Sequence, residues 1–437
     1  MSELPVGWAE ARLGDLGVWS GGGTPSKQVS SFWTGDIPWV SPKDMKVERI
    51  RDTIDHISPQ AVEQSATNLV PASSVLVVTR SGILSHLLPV AVTERKVALN
   101  QDLKALVPAD GVVSDYVAWA LRSAAQDILR DCSKAGTTVS NIDTPKLLNF
   151  SIPLAPLNEQ RRIVAAVEEH LSRLAAAAAS LNHADLHCSA LERVFIDNAL
   201  TGDWETVALK EVTASQIYGT SAKADGDASG VPVLRMGNIQ RGRLDLGALK
   251  YLPADHPDVA KLSLEPGDVL FNRTNSSELV GKSAVFAVGE RMTFASYLIR
   301  VRLNERCDPH WAVLVINGPP GRNYVASVRT QQVGQANVNG TKLAAMPIPL
   351  PPIEEQRRIV AEIEERLGAI DALRAAIERA QLRGAALRRL ILERAFRGAL
   401  VPQDPSDEPA SALLDRIRAE RDRAGRGNRR AGSRMQG

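Results

Sequence analysis

The chain has few cysteines, few histidines and no long apolar run, and each shortage removes a class of function. The three cysteines among 437 residues, Cys132, Cys188 and Cys307, stand apart with no paired spacing. That argues against a disulfide framework and against a cysteine-based zinc site. Seven histidines, His56, His86 and His170 among them, are not expected to form a metal site or an acid/base pair. Residues 1–16 include Glu3, Trp8, Glu10, Arg12 and Asp15 but no continuous apolar stretch, so no secretory leader or membrane span is expected and a cytoplasmic location follows. Excess charge of one sign is missing too: 52 Lys and Arg face 50 Asp and Glu, a net +2. Only local clusters can then speak about partners. The last segment is one, with Arg416, Arg418, Arg421, Arg423, Arg426, Arg429, Arg430 and Arg434 against few acids. Such a basic tail suits a solvated terminal helix as well as a nucleic-acid or partner contact.

Recognisable catalytic motifs are also missing. Asn317-Gly318-Pro319-Pro320-Gly321 approaches the Asn-Pro-Pro-aromatic loop of amino-methyltransferases, but a glycine interrupts it and no aromatic follows. It reads as a turn. Gly281-Lys282-Ser283 resembles the end of a phosphate loop, yet Ser276 stands where the leading glycine belongs and a strand follows. Glu94-Arg95-Lys96 has a nuclease-like spacing without a placed partner acid. An intrinsic enzyme is not expected, and no metal site or catalytic residue is assigned.

What the chain does contain is a repeat. Ile152-Pro153-Leu154-Ala155-Pro156-Leu157-Asn158-Glu159-Gln160-Arg161-Arg162-Ile163-Val164-Ala165 recurs at Ile348–Ala361, a shift of 196 positions (348 − 152). The offset persists beyond the motif, carrying Trp8 to Trp204, Leu13 to Leu209, Asn141 to Asn337, Lys146 to Lys342 and Gly202 to Gly398. The chain is a tandem duplication, and 44% hydrophobic residues suffice for the cores of about two to four domains.

After each copy of the motif comes a region almost free of glycine and proline. Pro156 and Pro352 suit a first helical position, where a missing amide donor costs nothing, and Glu159 and Glu355 lie near the positive end of the helix. Apolar residues at Ile163, Val167, Leu174, Leu181, Ala184, Cys188, Leu191 and Phe195 map onto Ile359, Ile363, Ile370, Ile377, Ala380, Gly384, Leu387 and Ile391, with the spacing of a coiled-coil seam. A helix over about 157–200 would run roughly 65 Å. Its natural partner is its own duplicate, packed antiparallel, with Ala175–Ala179, Ala375, Ala376 and Gly384 allowing close approach.

The remaining regions are mixed. Ser74–Thr79, Asp102–Val107, Val231–Met236, Val269–Asn272, Ala284–Val288 and Tyr297–Leu303 read as strands, and Tyr116–Cys132 as an amphipathic helix. The fold class is α+β: two mixed α/β modules separated by a long antiparallel two-helix coiled coil, in a pseudo-two-fold tandem repeat. The divisions fall at 1–154, 155–202, 203–350, 351–402 and a basic 403–437.

Polar clusters within the modules suit binding. Lys43, Lys46, Arg49 and Arg51 follow the strand-like Ile37–Val40, and Arg80-Ser81 follows another strand. The second module gathers Arg235, Asn238, Gln240, Arg241 and Arg243, with Arg273, Asn275 and Ser276 after the matching strand. A polar loop precedes each helical region: Thr137, Thr138, Ser140 and Asn141 in one, Gln335 and Asn337 in the other. These side-chain types read base edges in the major groove and bind phosphate. Repeated in both modules, they favour a nucleic-acid surface over scattered surface charge.

The chain resembles the specificity subunit of type I restriction-modification systems over nearly its whole length. The carriers are the two Pro-Leu-x-Pro-[Leu/Ile]-x-Glu-Gln-Arg-Arg-Ile-Val helix openings, Gly22-Gly23-Thr24-Pro25-Ser26, Ile37-Pro38-Trp39-Val40 and Arg235-Met236-Gly237-Asn238-Ile239. The first module departs from the pattern: Leu76-Val77-Val78-Thr79-Arg80 replaces the commoner form kept by Leu270-Phe271-Asn272-Arg273. The resemblance implies that each module is a target recognition domain reading half of an asymmetric bipartite site in double-stranded DNA. It also implies that the helices act as spacer and dock two methyltransferase subunits and the restriction subunits, with Gln160, Arg161, Arg162, Gln356, Arg357 and Arg358 as partner-binding residues. Adenine methylation and ATP-dependent cleavage, with S-adenosylmethionine, ATP and Mg2+, would belong to those partners. The competing reading is a non-catalytic scaffold whose duplicated modules bind proteins.

Overall fold

In the computed structural model, which describes residues 4–134, 139–332 and 335–434, the chain divides into two compact units, residues 1–180 with 381–437, and residues 181–380. The divisions fall inside the long helices, Leu157–Ala199 and Ile353–Phe396, because each helix starts in one unit and ends in the other. The carbonyls of Pro156 and Pro352 take the first helical bonds, from the amides of Gln160 (2.8 Å) and Gln356 (3.0 Å). At the far end of the second helix Gly398 takes φ +68°, the left-handed turn that stops a helix without a Cβ penalty.

In the first unit a five-stranded mixed sheet runs in the order Gly17–Gly21, Leu103–Pro108, Val75–Val78, Val90–Thr93, Arg49–Ile50. A four-stranded sheet follows the order Asp55–Ile57, Ile37–Val40, Val97–Leu99, Leu69–Val70. The central strand, Val-Leu-Val-Val, is buried on both faces and so shows no alternation. The helix expected over Tyr116–Cys132 is two, Ser114–Ser123 and Ala125–Cys132, parted at Ala124 where ψ opens to 7°. Against this core lie the start of the first long helix, through Ile163, Val167 and Leu171, and the end of the second, through Ile391 and Ala395. Ala410, Leu413, Leu414 and Ile417 of the terminal helix Ala410–Arg434 are buried in the same core. The basic segment is thus anchored by its apolar face, and Arg421 bonds the carbonyl of Gly14 at 2.9 Å.

The second unit has an antiparallel sheet in the order Thr213–Tyr218, Leu298–Leu303, Val269–Asn272, Ser283–Val285, and a three-stranded sheet in the order Lys250–Leu252, Val231–Leu234, Thr293–Phe294. The strand expected over Val231–Met236 stops at Leu234, since Met236–Asn238 turns into a short 3-10 helix. The Asn317–Gly321 segment is the junction of two helices, Pro309–Asn317 and Pro319–Val328, with Pro319 opening the second. Trp311 fills the core alongside Phe271, with Ile359 and Ile363 from the second long helix and Leu200 from the end of the first.

Within this unit the long helices are antiparallel. Arg374 meets Asp185 (3.7 Å), Ser189 (3.0 Å) and Glu192 (2.7 Å), and further along the first helix Phe195 lies under the Arg366 guanidinium at 5.1 Å. Cys188, Ile370 and Ile377 form the buried seam with Leu181, Ala184, Phe195 and Leu367. Two positions placed in the seam from spacing are not there: Leu191 and Leu387 are each 47% exposed. A two-helix pair buries one stripe per helix, and these leucines flank it, as do exposed Leu186, Val194 and Leu373. Among the described residues, no helix is long and apolar enough to cross a membrane.

Cys132, Cys188 and Cys307 are free and buried, and burial pushes the Cys307 thiol up to about 12. Such a thiol stays protonated and inert. Glu159 accepts the Trp8 indole N–H at 3.0 Å, yet burial holds its carboxyl above the usual range. The folded state then binds that proton more tightly than the unfolded one, so stability falls as pH rises from the ordinary carboxylate value through the raised one. Glu159→Gln, which keeps an oxygen for Trp8, is expected to flatten that part of the profile. Urea midpoints measured between about pH 4 and 7 check it, and an unchanged slope would count against the assignment.

Candidate nucleic-acid interface

The polar residues singled out from sequence fall into three places. The first is where a central strand leaves each module's main sheet. In the first module Arg80 bridges Asn141, the Ser81 amide donates to the Ser140 carbonyl (3.1 Å), and the Ile142 amide to that of Thr79 (2.8 Å). Arg80, Ser81, Ser140 and Asn141 therefore form one edge; Thr137 and Thr138 lie outside the described residues. In the second module Thr274 pairs with Asn337 and Asn275 with Ala336, and the Val338 amide donates to Arg273 (2.9 Å). Arg273, Asn275, Gln335 and Asn337 come together at the corresponding edge, with the Asn337 amide donating to the Thr274 hydroxyl at 2.7 Å. Spacing alone missed Tyr218, whose ring carries the Arg273 guanidinium at 5.0 Å, and Tyr297, which is 46% exposed beside it in the chain fold. Arginine over tyrosine is a preformed flat surface of the kind that stacks on bases.

The second place is the turn that follows the Ile37–Val40 and Val231–Leu234 strands, and here the expectation needs correcting. Lys43 and Lys46 are exposed, but Arg49 is engaged by Asp115 (2.9 Å) and Glu168 (3.0 Å). Arg243 likewise meets Asp371 of the second long helix at 3.0 Å. Both arginines brace a module on a helix. Asn238 is buried; its oxygen accepts from the Arg235 amide (2.9 Å) and its nitrogen donates to the Asp245 carbonyl (2.8 Å), so it builds the turn that presents Arg235. Gln240 is exposed and donates to the Gly237 carbonyl at 3.0 Å.

Between Gln240 and Arg243 the hairpin turns on Arg241 and Gly242, at φ +48° and +78°. Two left-handed residues are what a type I′ turn needs, and asparagine or glycine takes the first position more easily than arginine. Arg241→Asn is expected to raise stability by about 0.5–1 kcal/mol while weakening DNA binding. A calorimetric melt paired with a binding titration reads both effects. Stabilisation with unchanged binding would remove Arg241 from the interface.

The third place is the helix opening. Gln160 and Gln356 are fully buried, so their side chains are not available to a partner. The Gln160 oxygen accepts from the Val113 amide (2.9 Å) and its nitrogen donates to the Ala155 carbonyl (2.9 Å). Gln356 repeats this with the Asp308 amide (2.8 Å) and the Pro351 carbonyl (2.8 Å), and adds the Arg306 carbonyl (2.9 Å). The glutamine recurs because each module needs its helix-preceding loop clamped to the long helix. Arg162 is held by Asp407 at 2.8 Å, Arg357 by Glu354 at 3.0 Å, and Arg358 lies near Glu362 at 3.5 Å. Arg161 is exposed.

Comparison with known proteins agrees with this two-unit arrangement. The model of the type I restriction modification DNA specificity domain matches residues 5–182 and again 201–381. The specificity subunit of the type I restriction enzyme StySPI from Salmonella potsdam is 23% identical over 449 aligned positions, covering 96% of each chain. That of EcoKI from Escherichia coli K12 is 25% identical, covering 73% of this chain and 74% of the relative. The EcoR124I/EcoR124II subunit from Escherichia coli is 45% identical over 153 residues, which is 35% of this chain and 38% of that one. Among solved structures, a chain from work on complex assembly and conformational transition of the type I R-M system aligns with a TM-score of 0.74 at 21% identity, covering 91% of this chain and 100% of that one. The HsdS subunit from Thermoanaerobacter tengcongensis aligns with a TM-score of 0.57 at 20% identity, covering 91% of this chain and 98% of that one. The chain belongs to the type I restriction modification DNA specificity domain family, as a specificity subunit that carries the domain twice.

Proposed function

We propose that the chain reads an asymmetric bipartite DNA site, one half with each module, and directs chemistry that partner subunits perform. The observation that carries this is the pair of equivalent edges, where Arg80 pairs with Asn141 in the first module and Thr274 with Asn337 in the second. The same backbone pairing places them, yet they present different side chains. A symmetric dimer reads a palindrome, whereas one chain with two unlike readers suits a site of two unlike halves. Arg235, Gln240, Arg241, Lys43 and Lys46, on the turns that follow the Val231–Leu234 and Ile37–Val40 strands, would add contacts to phosphates or bases.

Methyltransferase subunits, and restriction subunits for cleavage, would dock on the helical pair. The buried Gln160 and Gln356 leave that role to exposed residues: Arg161, Arg357 and the uncovered leucines flanking the seam. S-adenosylmethionine, ATP and Mg2+ would be held by those partners.

A salt titration tests the DNA reading against a protein-binding scaffold. If both edges contact the backbone, six or more phosphate contacts make affinity fall about a thousandfold or more between 50 and 200 mM salt. A specific duplex that binds no better than a scrambled one, with little salt dependence, would favour the scaffold.

A further inference from the structure

An arginine follows the central strand of each module, but one position further along in the first. The bonds of the Thr79 amide to Asp102 and of the Ile142 amide to Thr79 match those of the Arg273 amide to Tyr297 and of the Val338 amide to Arg273, so Arg80 stands where the second module has Thr274. Arg80 donates through Nε to Asp102 Oδ1 at 2.6 Å, while among the described residues its Nη1 and Nη2 make no hydrogen bond. The pair is partly open, with side-chain exposures of 52% and 20%. Asp102 itself is fixed from both sides. Its carbonyl accepts from the Thr79 amide (2.8 Å) and the Arg80 amide (3.2 Å), and its own amide donates to the Asn100 side chain at 2.6 Å. In the second module the Arg273 amide donates to the Tyr297 carbonyl at 2.9 Å, which puts a tyrosine where the first module has Asp102. Arg273 then lies on Tyr218 and reaches the Ser296 carbonyl only at 3.4 Å, and among the described residues no acid pairs with it.

We propose that Asp102 is a positioning residue that holds the Arg80 guanidinium so that its Nη1/Nη2 edge reads a guanine in the first half-site. The assignment rests on the reading of the chain as two DNA readers and names what one of them selects. A guanidinium is a planar fork of five donors. Tying down Nε fixes the plane and leaves two parallel N–H groups, the pattern that matches guanine N7 and O6. A half-exposed ion pair adds little stability, so orientation is the larger consequence of this contact. The nearby carboxylate also weakens attraction for a phosphate, which favours a base contact over a backbone contact. Arg273 stands one position earlier along its strand and lies on Tyr218, so the second module does not repeat this contact.

The test uses the full chain in its assembled complex and a randomised duplex library. Wild type is expected to select a bipartite site with guanine at one position of one half. Arg80→Ala should lose that preference by about tenfold or more. Asp102→Asn should relax the same position in part, Asp102→Glu should restore it, and the other half-site should not change. Replacing that guanine by 7-deazaguanine should weaken wild type and leave Arg80→Ala unaffected, a comparison that stands even if an Asp102 variant folds poorly. Unchanged selection by Arg80→Ala, or an equal loss on all sequences by Asp102→Asn, overturns the assignment. A wild-type complex that selects no sequence overturns the DNA reading beneath it.

Discussion

Inserting four helix-forming residues after Asn182 and four more after Arg379 is expected to leave both half-sites readable and to lengthen the gap between them. The two insertions lie opposite each other in the antiparallel seam, where Asp185 and Ser189 face Arg374. Four residues add about 6 Å and about 40° of rotation to a helix. One base pair adds about 3.4 Å and about 34°. For a pair that runs along the duplex, the added rotation is close to that of one base pair and the added length exceeds it by about 2.6 Å. The original site should fall toward the non-specific level, about a thousandfold or more weaker, while the site with one extra base pair regains specific binding. Mapping modified bases in cells that carry the variant reads the gap directly. A variant that stays folded and keeps the wild-type gap would remove the helices from the role of ruler.

The largest stability effect is expected at Trp311. Its side chain has no exposed surface, its indole N–H donates to the Pro349 carbonyl at 2.9 Å, and Trp204 packs edge-on at 5.6 Å. It joins the helix Pro309–Asn317 to the strand that leads into the second long helix. Trp311→Ala is expected to destabilise the second unit by about 3–5 kcal/mol through the cavity it leaves, and Trp311→Phe by about 1–2 kcal/mol through the unpaired carbonyl. Urea unfolding followed by far-ultraviolet circular dichroism should show the transition of that unit moving to lower denaturant. A loss under 1 kcal/mol for the alanine variant would mean that the core collapses around the site, and the packing argument would fail.

The first unit solves the same problem with a different residue. Tyr116 donates its hydroxyl to the Pro153 carbonyl at 2.8 Å and accepts from the Ala155 amide at 3.2 Å. Burial keeps that phenol neutral far above the ordinary tyrosine range. Repeat spacing alone does not reveal that a tyrosine and a tryptophan serve one structural role, because the equivalence lies in which carbonyl each reaches. The helical seam was legible because a long stripe of period 3.6 fits the face of a helix and no other regular element; Cys188, Ile370 and Ile377 sit where spacing put them. Leu191 and Leu387 did not follow, since period locates a face and not the width that a neighbour covers. Arg49 and Arg243 read as DNA contacts because charge on a turn has no direction in sequence, and only their neighbours, Glu168 and Asp371, show where they point. Gln160 and Gln356 read as surface for the same reason.

By itself the sequence determined the duplication, the two long helices, the mixed character of the modules and the family, since each rests on local period or on residues repeated at a constant offset. The tertiary structure decided which polar residues share an edge, which arginines are spent on the helices, and that each unit is built from the end of one long helix and the start of the other. Those outcomes depend on residues far apart in the chain: Asp102 against Arg80, Tyr218 against Arg273, Val113 against Gln160. Contacts of that kind are fixed by how sheets and helices pack.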